Sequence, residues 1–394
     1  MKTNTKELSE KYLMNTYNRF PLSFERGEGV YLFDEEGEKY LDFTAGIAVN
    51  SLGYGNKDFV DTISEQLGKV CHTSNLYYVK QQAVLAKMLA ELSGLDRVFF
   101  CNSGAEANEA ALKLARKFGG NQKNKASKII AMENSFHGRT LGALSLTGQE
   151  KYRKAFEPLI GDVAYAEFNN LDSVEKLVDS NTCGIILECI QGEGGVIQAT
   201  EEFYEGVRKL CDTHNILMIV DEVQTGIARC GKMFCFEHFD SKPDIICLAK
   251  ALGNGIPIGA TVANEKAAQN FEPGDHASTF GGNFVSASAA ICVLNQIKNN
   301  DLIKNAQEVG EYLKSKLNEL KPLVKEVRGL GLMLGVEVDA AAGDVIKKCH
   351  EKKLLLAGAG ANTVRFVPPL IITREHVDRA VALFKESLVE LEES

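Results

Sequence analysis

The chain has 394 residues, with 44 Lys and Arg against 53 Asp and Glu, for a formal charge of −9. That length accommodates two domains with a substantial core, and 45% hydrophobic with 25% charged residues is ordinary for a globular chain. The acidic balance, without a basic run, excludes an electrostatic footprint for nucleic acid, and no segment reaches the roughly 18 apolar residues of a membrane helix. The opening residues, MKTNTKELSEKYLMNTYNRF, hold no apolar core of a signal peptide, which points to a cytoplasmic chain. Ten cysteines form no CxxC pair and no zinc spacing; with Cys101, Cys247 and Cys292 inside apolar runs, they read as reduced, buried thiols. The seven histidines are scattered, so no metal site is expected.

In chain order, Val30–Phe33 and Lys39–Phe43 flank the Glu- and Gly-rich turn Asp34–Glu38 and read as a hairpin. Helical periodicity covers Asp58–Leu67 and Gln81–Leu92. Seven strand-like runs then recur: Arg97–Cys101, Lys128–Met132, Val163–Ala166, Gly184–Leu187, Leu217–Val220, Asp244–Leu248 and Gly259–Ala263. Helical segments lie between several of them, which predicts an α/β fold with a mostly parallel, doubly wound sheet. After Asn283 the character changes to helices at Val285–Lys298, Asp301–Leu320 and Ala340–Lys353, a short strand Val364–Val367, and a final helix Arg374–Glu392 opened by Thr373. Gly329, Gly331 and Gly335 have the wrong spacing for a dinucleotide fingerprint, and no helix follows them.

The chemistry gathers where these strands end. The apolar run Ile216–Val220 delivers Asp221 and Glu222, and the run Ile245–Ala249 delivers Lys250. Buried parallel strands read as such runs, and open α/β sheets bind ligands beyond the carboxyl ends of their strands. An acid and a lysine facing one crevice suit pyridoxal 5′-phosphate, which needs a lysine amine for its aldehyde and a carboxylate against its ring nitrogen. An isolated Asp or Lys at a strand end is usually an ordinary surface charge, so the surrounding residues carry the weight. CNSGAEANEA at 101–110 follows a strand and opens a helix; Ser103 is a candidate N-cap with Glu106 as its capping-box partner, and small Gly104 and Ala105 leave the first-turn amides open for an anion. Arg139, in the otherwise uncharged run SFHGRTLGALSLTG, offers a fork for a substrate carboxylate.

DEVQTG at 221–226, PDI at 243–245 and LAKALGNGIPIGA at 248–260 closely resemble the cofactor signature of the class III (subgroup II) pyridoxal-phosphate aminotransferases. The likeness runs from about residue 15 to 385. It implies fold type I, with a large cofactor domain at 56–284 and a smaller α+β domain built from 1–55 and 285–394. It implies that Ser103, Gly104 and Ala105 cup the phosphate and that Phe136 stacks on the ring opposite Val223. Asp221 would pair the ring nitrogen, Gln224 the ring hydroxyl oxygen, and Lys250 would hold the cofactor, with Glu222 beside them. Thr279, in HASTFGGN at 276–283, would reach the phosphate of a neighbouring subunit, making a homodimer with shared active sites. Arg139, Ser278, Glu193 and Arg365 would meet substrate, with Glu193 pairing with Arg365 of TVRFVPP. The implied reaction moves an amino group from a small-molecule donor to 2-oxoglutarate. His72–Tyr78 and Tyr17-Asn18 resemble the acetylornithine branch of arginine biosynthesis. Relatives acting on ornithine, succinylornithine, succinyl-diaminopimelate or 4-aminobutyrate share most of the motifs, and an aminomutase on the same scaffold is a further alternative. Three positions depart from the family: Ala228 and Cys230 stand for Gly and Thr, and Phe284 for Pro. The family's Gly-His-x-His-Pro-like turn is here Gly53 to Lys57, and no role is carried onto it.

Overall fold

The structure is a computed structural model that describes residues 5–393; residues 1–4 and 394 of the expected small domain lie outside the described residues. Seven strands form the large sheet, in the order Arg97–Cys101, Gly259–Ala263, Ile245–Leu248, Leu217–Asp221, Thr182–Leu187, Lys128–Met132 and Val163–Ala166. Gly259–Ala263 runs antiparallel to both its neighbours, and the other pairings are parallel. The central strands are buried on both faces: Ile219 pairs with Ile245, and both are fully buried. Burial of one such side chain is worth about 1.5–3 kcal/mol, which is why these runs carry no alternating polar residues.

Four of the functional candidates, and Glu188 with them, follow the carboxyl ends of five strands that run in one direction. Ser103 comes after Arg97–Cys101, Phe136 after Lys128–Met132, Glu188 after Thr182–Leu187, Asp221 ends its own strand, and Lys250 comes after Ile245–Leu248. The parallel registers bring them to one edge of the sheet. Sequence expectation and structure agree to within two residues for all seven strands.

The termini meet. Phe24–Glu28, Tyr31–Asp34 and Lys39–Asp42 form an antiparallel meander, and Leu354–Leu355, from far along the chain, joins it in parallel beside Lys39–Asp42. The glycine-spaced run GLGLMLGVEV is a hairpin, Glu326–Leu330 with Met333–Glu337, extended by Thr363–Phe366 and Ala357–Gly358. Gly331 sits at its turn with φ +54°, and a Cβ there would fall 2.6 Å from the Cys230 carbonyl carbon, so the hairpin tip packs directly on the loop after Asp221. The helix Phe284–Asn299 packs on Lys57–Leu67 and Lys80–Ser93. Asn283 caps it, accepting from the Val285 and Ser286 amides, so Phe284 in place of a proline leaves the helix start intact.

Candidate active site

A cavity of about 380 Å³ opens beyond the strand ends and is lined by Ser103, Gly104, Ala105, Phe136, Arg139, Glu188, Asp221, Val223, Gln224 and Lys250, among others. One wall is the start of the 17-residue helix Gly104–Gly120. Ser103 caps it: its hydroxyl accepts from the Glu106 amide at 3.2 Å and donates to Glu106 Oε2 at 3.0 Å. The first intrahelical bond runs from Ala107 N to Ser103 O, so the amides of Gly104 and Ala105 precede it and stay free for an anion. A Cβ on Gly104 would lie 2.6 Å from Val223 Cγ1, so glycine is what allows the helix start to approach the DEVQ turn.

Asp221 is buried and held from three sides. Its Oδ2 accepts from Asn108 Nδ2 at 2.8 Å and lies 2.7 Å from His137 Nδ1, and its Oδ1 accepts from the Val223 amide at 2.9 Å. Burial pushes the His137 imidazole down, but the hydrogen bond and charge of Asp221 outweigh it, leaving His137 above the usual histidine range. Asn108 and His137 were missed in the sequence as site residues. The signal was present, since Asn108 lies one helical turn past Gly104 and His137 follows Phe136. Glu188 accepts from the Phe136 and Gly192 amides at 3.2 and 3.3 Å, and burial raises its carboxyl to about 7.

Lys250 starts a 3-10 turn, Lys250–Gly253, at φ +43°, a region costly for a side chain with a Cβ. Burial first and the charge of Arg365 second pull its ammonium down to about 8. A lysine partly uncharged at neutral pH is a nucleophile, which a surface lysine is not.

Arg365 is almost wholly buried in the strand Thr363–Phe366. Its Nη1 donates to Glu193 Oε1 at 2.6 Å, Gln224 Oε1 at 2.8 Å and Gly192 O at 3.1 Å. Burial pushes Glu193 up, yet Arg365 more than offsets this and holds its carboxyl below the usual range. Gln224 therefore belongs to the Arg365 cluster as well as to the cavity wall.

Other expected residues fall elsewhere. Glu222 is turned away from the cavity: its Oε1 accepts from the Phe236 amide at 2.7 Å and its Oε2 from the Thr225 hydroxyl at 2.5 Å, so the expectation that it lies beside the cofactor is corrected. Successive residues of an extended strand end point to opposite faces, and Asp221 already takes the cavity side. Ser278 is behind the wall, accepting from Asn102 Nδ2 at 3.1 Å, and Thr279 is exposed outside the cavity. The stretch 42–56, onto which no role was carried, reaches the site. Ala45, Gly46, Ile47 and Ala48 form a left-handed turn, with φ of +48°, +65°, +66° and +60°, which delivers Val49 to the cavity. Asp42, fully buried, holds it by accepting from the Thr44 and Ala45 amides and the Thr44 and Tyr54 hydroxyls. Ile227 and Ala228 also have positive φ, so the alanine departure sits where the family's glycine is free of strain. Cys230 is buried in the same loop, and the neighbouring Arg229 binds Leu332 O and Pro368 O at 3.1 and 2.5 Å.

The residues present fit pyridoxal 5′-phosphate. Two free amides at a helix start await an anion, a fixed carboxylate and a depressed lysine share one cavity, and Gly104 keeps the cup open. Among the described residues no cluster of three or more metal-ligating side chains could hold an ion, and no helix is long and apolar enough to cross a membrane.

Comparison with known proteins points the same way. A family model described as aminotransferase class-III matches residues 12–388. The chain is 48% identical over 388 residues to an acetylornithine aminotransferase of Clostridium acetobutylicum, covering 97% of this chain and 100% of that one. It is 49% identical over 378 residues to one of Aquifex aeolicus, covering 96% and 100%. Among solved structures it resembles the ornithine aminotransferase of Toxoplasma gondii (31% identity, TM-score 0.94, 100% and 97% covered) and the N-acetylornithine aminotransferase of Stenotrophomonas maltophilia (35% identity, TM-score 0.84, 98% of each covered).

Proposed function

From a chain that belongs to the class III aminotransferases, we infer a pyridoxal-phosphate enzyme that moves the δ-amino group of N2-acetyl-L-ornithine to 2-oxoglutarate, giving N-acetyl-L-glutamate 5-semialdehyde and L-glutamate. The observation that carries the reading is the pair of arginines: Arg139 free at the cavity wall and Arg365 masked by Glu193 at 2.6 Å. Two amino donors with differently placed carboxylates require two carboxylate sites, one of which can be hidden.

When bound, the cofactor supplies an aldehyde that takes up the amino group and a protonated ring that draws electrons from the reacting carbon. The Gly104 and Ala105 amides would hold its phosphate, at the helix start that Ser103 caps. Phe136 and Val223 would flank its ring, and the Asn108–His137–Val223 cradle fixes the Asp221 carboxylate in place for the ring nitrogen. Lys250 Nζ would hold the cofactor between turnovers and would carry the proton that leaves the substrate carbon. Arg139 binds the acetylornithine carboxylate. Arg365 takes the α-carboxylate of glutamate once Glu193 releases it, an exchange that needs only a few kcal/mol between its two arrangements.

The same reading makes the enzyme a cytoplasmic homodimer. Ten free cysteines, nine of them buried, support a reducing compartment. Exposed Leu76, Tyr77, Tyr78 and Phe280 support a second copy on that face; Asn75 ties their loop to the one carrying Thr279 by bonds to Ser278 O and Gly281 O. The division into 56–284 against 1–55 and 285–394 is supported by Leu354–Leu355 joining the N-terminal meander, while Phe284–Asn299 packs across that boundary.

The test is a panel of ω-amino donors with and without 2-oxoglutarate, followed by single-turnover rates for each half-reaction. Acetylornithine should lead the panel and depend on the keto acid. Arg365→Ala should slow the glutamate half-reaction far more than the acetylornithine one, and Glu193→Ala should speed glutamate relative to acetylornithine. If both variants keep the wild-type ratio, the masking role of Glu193 is wrong.

A further inference from the structure

Arg139 makes no hydrogen bond and no ion pair within the described residues; what it touches is aromatic. Its guanidinium carbon lies 4.1 Å from the centre of the Tyr152 ring and 5.6 Å from that of Phe136. The Tyr152 and Phe136 rings meet edge to face, with centroids 5.8 Å apart and planes at 80°. The Lys151 ammonium is further from the same ring, at 4.8 Å, and the next cation along, Arg153, is placed over Tyr165 instead. Tyr152 lies on the short helix Glu150–Arg153, which is not part of the cavity wall.

The chemistry of this contact decides its meaning. A carboxylate or carbonyl that held Arg139 would consume some of its five N–H donors and, if charged, cancel its attraction for substrate. An aromatic ring attracts the cation through its π face and takes no donor. The whole fork stays available in the cavity, and a flexible side chain loses orientations before substrate arrives. We propose that Tyr152 is a positioning residue for carboxylate recognition, its ring carrying the Arg139 guanidinium and bracing it against Phe136. The inference rests on the role given to Arg139 above.

The test compares acetylornithine with N-acetyl-1,4-diaminobutane, the same molecule without its carboxylate, in the holoenzyme. Tyr152→Leu should raise KM for acetylornithine roughly three- to fivefold, the size of an exposed cation–π contact (about 1 kcal/mol at 1.4 kcal/mol per tenfold), with kcat little changed. Its kcat/KM for the carboxylate-free amine should stay within about twofold of wild type, which also shows that the variant folds. Tyr152→Phe keeps the ring face and should behave as wild type. In an Arg139→Met background, Tyr152→Leu should add nothing. Two results overturn the proposal: equal losses on both amines, which make Tyr152 structural, or an undiminished preference for the carboxylate donor in Tyr152→Leu. A wild-type enzyme indifferent to the carboxylate removes the role of Arg139 itself and with it this inference; that failure is read from wild type alone, and so is distinct.

Discussion

At the scale of single residues, the site works by burying charged groups and choosing their partners. Lys250 pays most visibly, since burial and Arg365 favour its neutral form. The free-amine fraction of a group titrating near 8 is about a tenth at pH 7, against well under a thousandth for an ordinary lysine. In cofactor-free protein, reductive methylation mapped by peptide mass should therefore modify Lys250 with a midpoint near pH 8, about two units below the surface lysines. A Lys250 that titrates with the surface set would show that the cavity is wetter than its walls imply. Glu222 shows the opposite sign of the same physics. Its carboxyl, raised by burial to about 7, is neutral in the fold where an exposed carboxyl has already ionised. Folding stability from this group is complete below about pH 4.5, is lost as pH rises towards 7, and is flat above, a change on the order of 3 kcal/mol at most. Glutamine can accept from the Phe236 amide and donate to the Thr225 hydroxyl. Glu222→Gln should then gain stability over wild type, and gain more at pH 8 than at pH 5 in urea unfolding. An equal gain at both pH values would mean that Glu222 is not what titrates.

At the scale of elements, strand ends and tight turns aim the chemistry. Asp221 ends one strand and Lys250 follows its parallel neighbour, whose register pairs Asp221 with Cys247, three residues short of Lys250. The left-handed turn at 45–48 costs about 1–2 kcal/mol per non-glycine residue, and the Asp42 carboxylate offsets that with four accepted hydrogen bonds. Asp42→Ala removes them and leaves buried donors without partners. It should cost on the order of 3 kcal/mol in urea unfolding and weaken substrate binding through Val49, which the turn presents to the cavity. A midpoint within error of wild type would mean that the turn is held by packing instead.

At the scale of the whole molecule, the proposed homodimer would account for the exposed Thr279 and the bare apolar residues around it. If Thr279 serves the neighbour's phosphate, Lys250→Ala and Thr279→Ala on different subunits place both lesions in one site and leave the other whole. Mixed dimers should recover about half of wild-type activity. No recovery, with subunit exchange confirmed by mass, would assign Thr279 to its own subunit's site.

Much of this was legible in the amino-acid order because it is local physics. Apolar runs of strand length, the Ser103–Glu106 capping box and the charged residues that close the Ile216–Val220 and Ile245–Ala249 runs are set within a few neighbours, so the seven strands and most of the cavity wall could be read directly. The long likeness to class III enzymes added Glu193 and Arg365, which lie 172 positions apart and which no local pattern joins. What only tertiary structure decided was direction and partnership. Glu222 faces away because adjacent residues at a strand end take opposite sides. His137 and Asn108 become the cradle of Asp221 across separations of 84 and 113 residues. Tyr152 meets Arg139 through a ring face, an interaction with no sequence spacing of its own. The run GLGLMLGVEV is a hairpin because its glycines let the turn lie against the backbone of the loop after Asp221. Sequence periodicity records how each element meets water and the core; which side chains then face one another is set by the packing of elements far apart in the chain.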